Sequence, residues 1–168
     1  MGIRRKAREA ALQLLFMADY NKELNESDID FCLEHFSIFK EARPYAKSLC
    51  KGVYDKLNAV DSKITCASEN WSISRMGRVD RCILRLATYE LNFTNEVPVN
   101  VAINEAIEIA KRYGSEESPT FINGVLDRVA TSLTRQIEVE TVSKKAATNG
   151  SASSEDETFI EKSELEKV

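Results

Sequence analysis

The chain has 168 residues, 43% of them hydrophobic and 30% charged, with a formal net charge of −4. That balance supports one buried core and excludes a chain that is disordered throughout. No apolar run approaches the roughly 18 residues of a membrane span, and the basic start Met1 to Lys6 is unlike a signal core. A cytoplasmic protein is expected.

Apolar residues recur at a helical period almost from end to end, and strict alternation is absent. Ile3, Ala7, Ala10, Ala11, Leu14 and Ala18 make the stripe of a first helix, which Asn21 to Asn25 interrupts. Ser27 or Asp28 can cap a second, with Ile29, Cys32, Leu33, Phe36 and Phe39 inward. Pro44 suits the first turn of a third, whose stripe runs Leu49, Val53, Leu57, Val60, Ile64, Ala67. After a loop at Asn70 to Ser74, a fourth carries Met76, Val79, Ile83, Leu86 and Glu90. Pro98 opens a fifth over Val99 to Tyr113, and Gly114 is placed to end it. Ser118-Pro119 reads as the N-cap and first residue of a sixth, reaching about Glu138. The fold class predicted is all-α, a bundle of six or seven helices.

Charge is uneven. Residues 140–168 hold seven acids and four lysines, so three of the four net negative charges fall there. Ala146 to Ser154 is small, polar and aperiodic, and reads as a linker. The expected organisation is a helical domain over 1–139 and an acidic, low-complexity, disordered tail over 140–168. A near-neutral body can still present a basic patch to nucleic acid.

Catalytic and metal chemistry find little support. Six glycines stand singly, so there is no phosphate loop. Cys32, Cys50, Cys66 and Cys82 form no C-x-x-C pair, and His35 is the sole histidine, so no metal site or cofactor is expected. The cysteines read as small buried hydrophobes in a reducing compartment. Glu105 and Glu108 share a helix face, but with Lys111 and Arg112 they suit surface bridges as well as acid–base work. The pattern points to binding, not to an enzyme.

Two basic clusters point to a ligand. Arg4, Arg5, Lys6 and Arg8 stand at a helix start, where cations oppose the helix dipole and a phosphate would relieve the penalty. Arg75, Arg78, Arg81 and Arg85 follow at spacings of 3, 3 and 4, which puts the last three on one helical face. That face could be solvated, or bridged to acids such as Asp80 or Glu90. Phe16, Tyr20, Tyr113 and Phe121 lie in these stretches or near helix ends; most are expected in the core, with one or two able to stack on bases. Asn123-Gly124 interrupts a helical pattern, and close approach of another helix is the first explanation, approach of RNA the second.

Four ordered blocks carry a family resemblance: Arg4 to Phe16 (RRKAREAALQLLF), Asn70 to Leu91 (NWSISRMGRVDRCILRLATYEL), Val97 to Gly114 and Ser118 to Ala130. Together they resemble the NusB family of bacterial transcription antitermination factors. The resemblance implies two small helical subdomains, binding to single-stranded boxA RNA of ribosomal leader transcripts, and pairing with NusE, a small-subunit ribosomal protein. It implies assembly with NusA, NusG and RNA polymerase for read-through of terminators, without catalysis or cofactor. It assigns RNA contact to Arg4, Arg5, Lys6, Arg8, Phe121 and Glu117. It assigns partner contact to Asp80, to which the arginine face Arg78, Arg81, Arg85 is added as a candidate. Glutamate at 117 departs from the aspartate common in the family. The competing readings are a NusB-like scaffold that binds protein without RNA specificity, and a module of an RNA methyltransferase, for which the chain has no room. Homodimerisation is left open by the sequence.

Overall fold

Among the described residues there are seven α-helices and two 3-10 turns, and no strand. The computed structural model describes residues 2–21, 25–36, 38–69 and 71–149. The helices are α1 (Ile3–Asn21), α2 (Glu26–His35), α3 (Arg43–Asp55), α4 (Leu57–Ala67), α5 (Arg78–Phe93), α6 (Val99–Tyr113) and α7 (Ser118–Asn149). The chain divides into two compact units, Met1–Leu133 and Thr134–Val168.

The stripe residues close one continuous core. Leu14 of α1, Leu49 of α3, Ile64 of α4, Ile83, Leu84 and Leu86 of α5, Ile109 of α6, and Ile122 and Leu126 of α7 are fully buried. Each such side chain contributes about 1.5–3 kcal/mol. Helix α5 is the hub, packing on α1, α3, α4 and α6, while α1 packs on α2, α3 and α5. Gly52 of α3 permits one close approach: a side-chain carbon there would fall 2.0 Å from the Tyr89 ring of α5.

Several boundaries differ from expectation for local reasons. The cap of α2 is Asn25, ahead of Ser27 and Asp28. Its side chain accepts from the Asp28 N–H at 3.0 Å, and the Asp28 carboxylate accepts from the Asn25 N–H at 3.1 Å. This is a reciprocal capping box. The single long third helix is two helices, divided at Lys56, whose backbone leaves the helical range at φ −112 and ψ 16. The apolar stripe passes through the division, with Val53 and Val60 both buried, so periodicity does not register it. Ser118 is already helical, and the Glu117 carbonyl accepts the first helical bond, from Phe121 N–H at 3.1 Å. The Ser118 hydroxyl instead accepts the Ser115 N–H at 2.8 Å, closing the turn between α6 and α7. Met76 precedes α5 as the cap of the Ile73–Arg75 turn. Helix α7 is described to Asn149, past the expected end near Glu138 and into the expected linker; Lys144 to Ala147 are strong helix formers. Residues 150–168 of the expected tail lie outside the described residues. Of the cysteines, Cys50 and Cys82 are buried as expected, whereas Cys32 is half-buried and Cys66 is exposed. Burial pushes the Cys50 thiol up to about 12 and the Cys82 thiol to about 11.

Candidate nucleic-acid interface

The first turns of α1 set four cations in four different surroundings. Arg4 is exposed, with its guanidinium 5.6 Å from the Tyr45 ring centroid. Lys6 is half-buried and lies 3.2 Å from Glu9. Arg5 is clamped by Glu105 of α6, its Nε and Nη2 donating at 2.8 and 2.6 Å. The Arg5 hydrogen bond holds the Glu105 carboxyl below the usual carboxylate range, against partial burial. Arg8 is 3% exposed and donates from Nε to both carboxylate oxygens of Glu90, at 3.0 and 2.9 Å. Glu90 is itself 1% exposed and also accepts the Tyr45 hydroxyl. Burial and the Glu90 bond push the Tyr45 hydroxyl pKa up.

Arg8 therefore differs from the other three cations in being buried. It stands behind the surface and ties α1 to α5. Packing of α5 and α6 on α1 brings Glu90 and Glu105 to the N-terminal turns, and these carboxylates relieve much of the dipole penalty that suggested a phosphate. Arg4 remains the most accessible of the set, and the Arg5 and Lys6 side chains keep 31% and 29% of their surface. Glu9, 5% exposed, also holds Arg112 at 2.8 Å, which ties α6 to α1, and Glu108 pairs with Lys111 at 2.7 Å.

The arginines of α5 form a second network. Arg81 donates to Asp19 of α1 at 2.5 Å and to the Ile73 carbonyl at 3.1 Å. Arg85 takes Asp61 of α4 through Nε and Nη2, each at 2.8 Å, and Asp19 at 3.1 Å. Arg78 stands 3.7 Å from Asp19 and lies over the Phe16 ring at 5.8 Å. The three arginines do share one face, as their spacing predicts, but Arg81 and Arg85 spend it on fastening α1 and α4 to α5. Within the chain they act as internal clamps. The acids that engage them, Asp19 and Asp61, were not among the predicted partners; Asp80 and Glu90 were. Asp80 is half-buried in the first turn of α5, where a negative charge suits the helix dipole.

Around the start of α7, Glu117 is exposed and Phe121 half-buried. Phe121 meets the Trp71 ring edge-on, 6.2 Å between centroids at 61°. Trp71 escaped the sequence reading; its one signal was being the only tryptophan, set in a loop between two stripes. Asn123 donates to Asp127 at 3.1 Å on the same helix. Among the described residues, no group of three or more His, Cys, Asp or Glu is placed to hold a metal, and no helix is long and apolar enough to cross a membrane.

An all-helical body with cations at the start of α1 and aromatic rings beside the start of α7 defines a helical binding module. The NusB family matches residues 5–131. The chain is 48% identical over 134 residues to the transcription antitermination protein NusB of Geobacter sulfurreducens, covering 79% of this chain and 97% of that protein. It is 49% identical over 138 residues to that of Desulfotalea psychrophila, covering 78% and 97%. Two solved structures superpose with a TM-score of 0.70 each: T. maritima NusB, at 41% identity over 76% of this chain and 90% of that one, and antitermination factors NusB and NusE in complex with dsRNA, at 29% identity over 77% and 97%. The chain belongs to the NusB family.

Proposed function

We propose that this chain is a transcription antitermination factor that binds boxA-type RNA of ribosomal leader transcripts together with NusE. Joined to NusA, NusG and RNA polymerase in the cytoplasm, it lets transcription pass terminators, as an adaptor and not as an enzyme. The observation that carries the reading is the match over nearly the whole helical body to NusB proteins, one of them solved with NusE and RNA.

Arg4, Arg5 and Lys6 meet phosphates, and Phe121 and Glu117 meet RNA at the start of α7. Arg8 acts through its neighbours, holding the first turns of α1 against Glu90. Asp80 and Arg78 face NusE, with Arg81 and Arg85 keeping α5 in place. The body, residues 1–139, is the binding domain. Assembly is by heterodimer with NusE; self-association would compete with it.

The test is RNA binding by the full chain, with and without NusE, over a salt series, using boxA RNA as single strand and as duplex. Replacing Arg4 and Lys6 by alanine lowers the slope of log K against log salt by about 0.7 for each lost contact. Unchanged slope and affinity remove this cluster from the interface. Binding of NusE with no RNA binding in either form favours the protein-only scaffold.

A further inference from the structure

An exposed tryptophan, a helix-interior glycine and an arginine line one cavity beside Phe121, the ring to which the family resemblance assigns RNA contact. The cavity measures about 280 Å³ and lies between the end of α4 and the first turns of α7. Trp71, Phe121, Gly124 and Arg128 line it, together with Glu69, whose carboxylate lies 3.9 Å from Arg128. That is a little below the roughly 300–1,000 Å³ of sites for drug-sized ligands, a scale that suits one planar group.

Trp71 is 51% exposed, although burial of its indole would stabilise the fold. Its backbone is held on both sides. Its N–H donates to the Ser68 carbonyl at 2.8 Å, and the buried Ser68 hydroxyl lies 3.0 Å from its carbonyl. The loop thus presents the indole outward on an anchored backbone. Phe121 meets it edge-on, and the Arg75 guanidinium lies 5.7 Å from its ring centroid. Arg128 is anchored at the Ala67 carbonyl at 3.1 Å.

Gly124 adds an independent observation. Glycine inside a helix costs stability relative to alanine, and the expected compensation was a second helix packed close. The structure corrects this: a side-chain carbon on Gly124 would meet no atom within 4 Å. The space that the missing side chain leaves open belongs to the cavity. A position that gives up helix stability to leave a cavity open, beside an outward indole, fits a ligand that is flat and aromatic, and Arg75 over the indole and Arg128 in the lining stand where anionic groups flanking it would pass.

We propose that Trp71, Phe121 and Gly124 form a slot for one unpaired RNA base, stacked on the Trp71 indole, with Arg75 and Arg128 meeting its flanking phosphates. The proposal rests on the RNA-binding reading above and adds a base-contacting site to it. Stacking of this kind tolerates any base, so the slot supplies affinity and register for a single strand, not a sequence code.

Trp71 is the only tryptophan, so its emission reports on this site alone. The full chain is titrated with fluorescein-labelled single-stranded boxA RNA and, separately, with the unlabelled strand. Anisotropy reads binding and tryptophan emission reads stacking. Emission is quenched along the same isotherm as binding. Trp71→Leu weakens binding by roughly 5- to 150-fold, the worth of one stacked base, while Trp71→Phe keeps most of it. Gly124→Leu weakens binding with its melting temperature unchanged or raised, the opposite of what a packing role gives. Circular dichroism checks each fold. Binding without quenching, or Gly124→Leu at wild-type affinity, overturns the slot and leaves the RNA-binding reading standing. Absence of any binding by anisotropy overturns both.

Discussion

Arg4 and Arg8 are one helical turn apart, yet one lies at the surface and the other is 3% exposed against Glu90. Their sequence surroundings are alike; what separates them is that α5 packs over the second turn of α1 and leaves the first uncovered. A buried pair that loses one member leaves an uncompensated charge, which costs about 3–5 kcal/mol. Arg8→Ala is therefore expected to lose most of that from the unfolding free energy, since Glu90 keeps only the Tyr45 hydroxyl as a strong donor. Urea denaturation measures it. The salt slope of RNA binding, read where the variant is folded, stays at the wild-type value. A variant as stable as wild type but with a lower slope would return Arg8 to the RNA interface. The same distinction applies at Glu105, which is clamped by Arg5 and so is occupied by structure rather than by acid–base work.

At the scale of elements, one carboxylate organises three helices. Asp19 near the end of α1 receives Arg81 and Arg85 of α5, and Arg85 carries the link on to Asp61 of α4. Burial opposes ionisation of Asp19, but hydrogen bonds from Arg81 and Arg85 outweigh it, and its pKa lies below the ordinary 3.8. A carboxylate with a lowered folded pKa stabilises the fold fully above its unfolded value. That stability is lost as pH falls through the folded value. The melting temperature is thus expected to drop from about pH 5 towards pH 3, and less steeply in Asp19→Asn than in wild type. Parallel pH profiles of the two proteins would mean that Asp19 contributes nothing to acid sensitivity. Asp19→Asn is also expected to be less stable at neutral pH, because Arg81 and Arg85 lose their shared anion.

For the molecule as a whole, the clamps determine which charges are left for partners. With Arg81 and Arg85 engaged inside, Asp80 is the acid of the first turn of α5, and Arg78 lies beside it over Phe16. A ribosomal protein partner is cationic, so reversing an acid costs more than removing a base. Asp80→Lys is expected to weaken NusE binding by on the order of 1–3 kcal/mol while RNA binding by the chain alone changes little. Calorimetry against purified NusE, with circular dichroism as the folding control, decides it. Equal affinities of the two folded proteins would remove Asp80 from the contact.

Helical period, prolines at 44 and 98 and the glycine at 114 were enough to define an all-helical chain, and α6 was legible to the residue. These features are local: a helix shows its buried stripe and its ends within a few residues of sequence. The four ordered blocks likewise identified the family without any contact being known. Tertiary structure alone decided how the charges are used. Glu90 lies 82 residues from Arg8, and Asp19 lies 66 from Arg85, and no spacing rule links residues so far apart. It also decided that the close approach falls at Gly52, not Gly124, because a glycine's meaning depends on what the fold brings to it or leaves open.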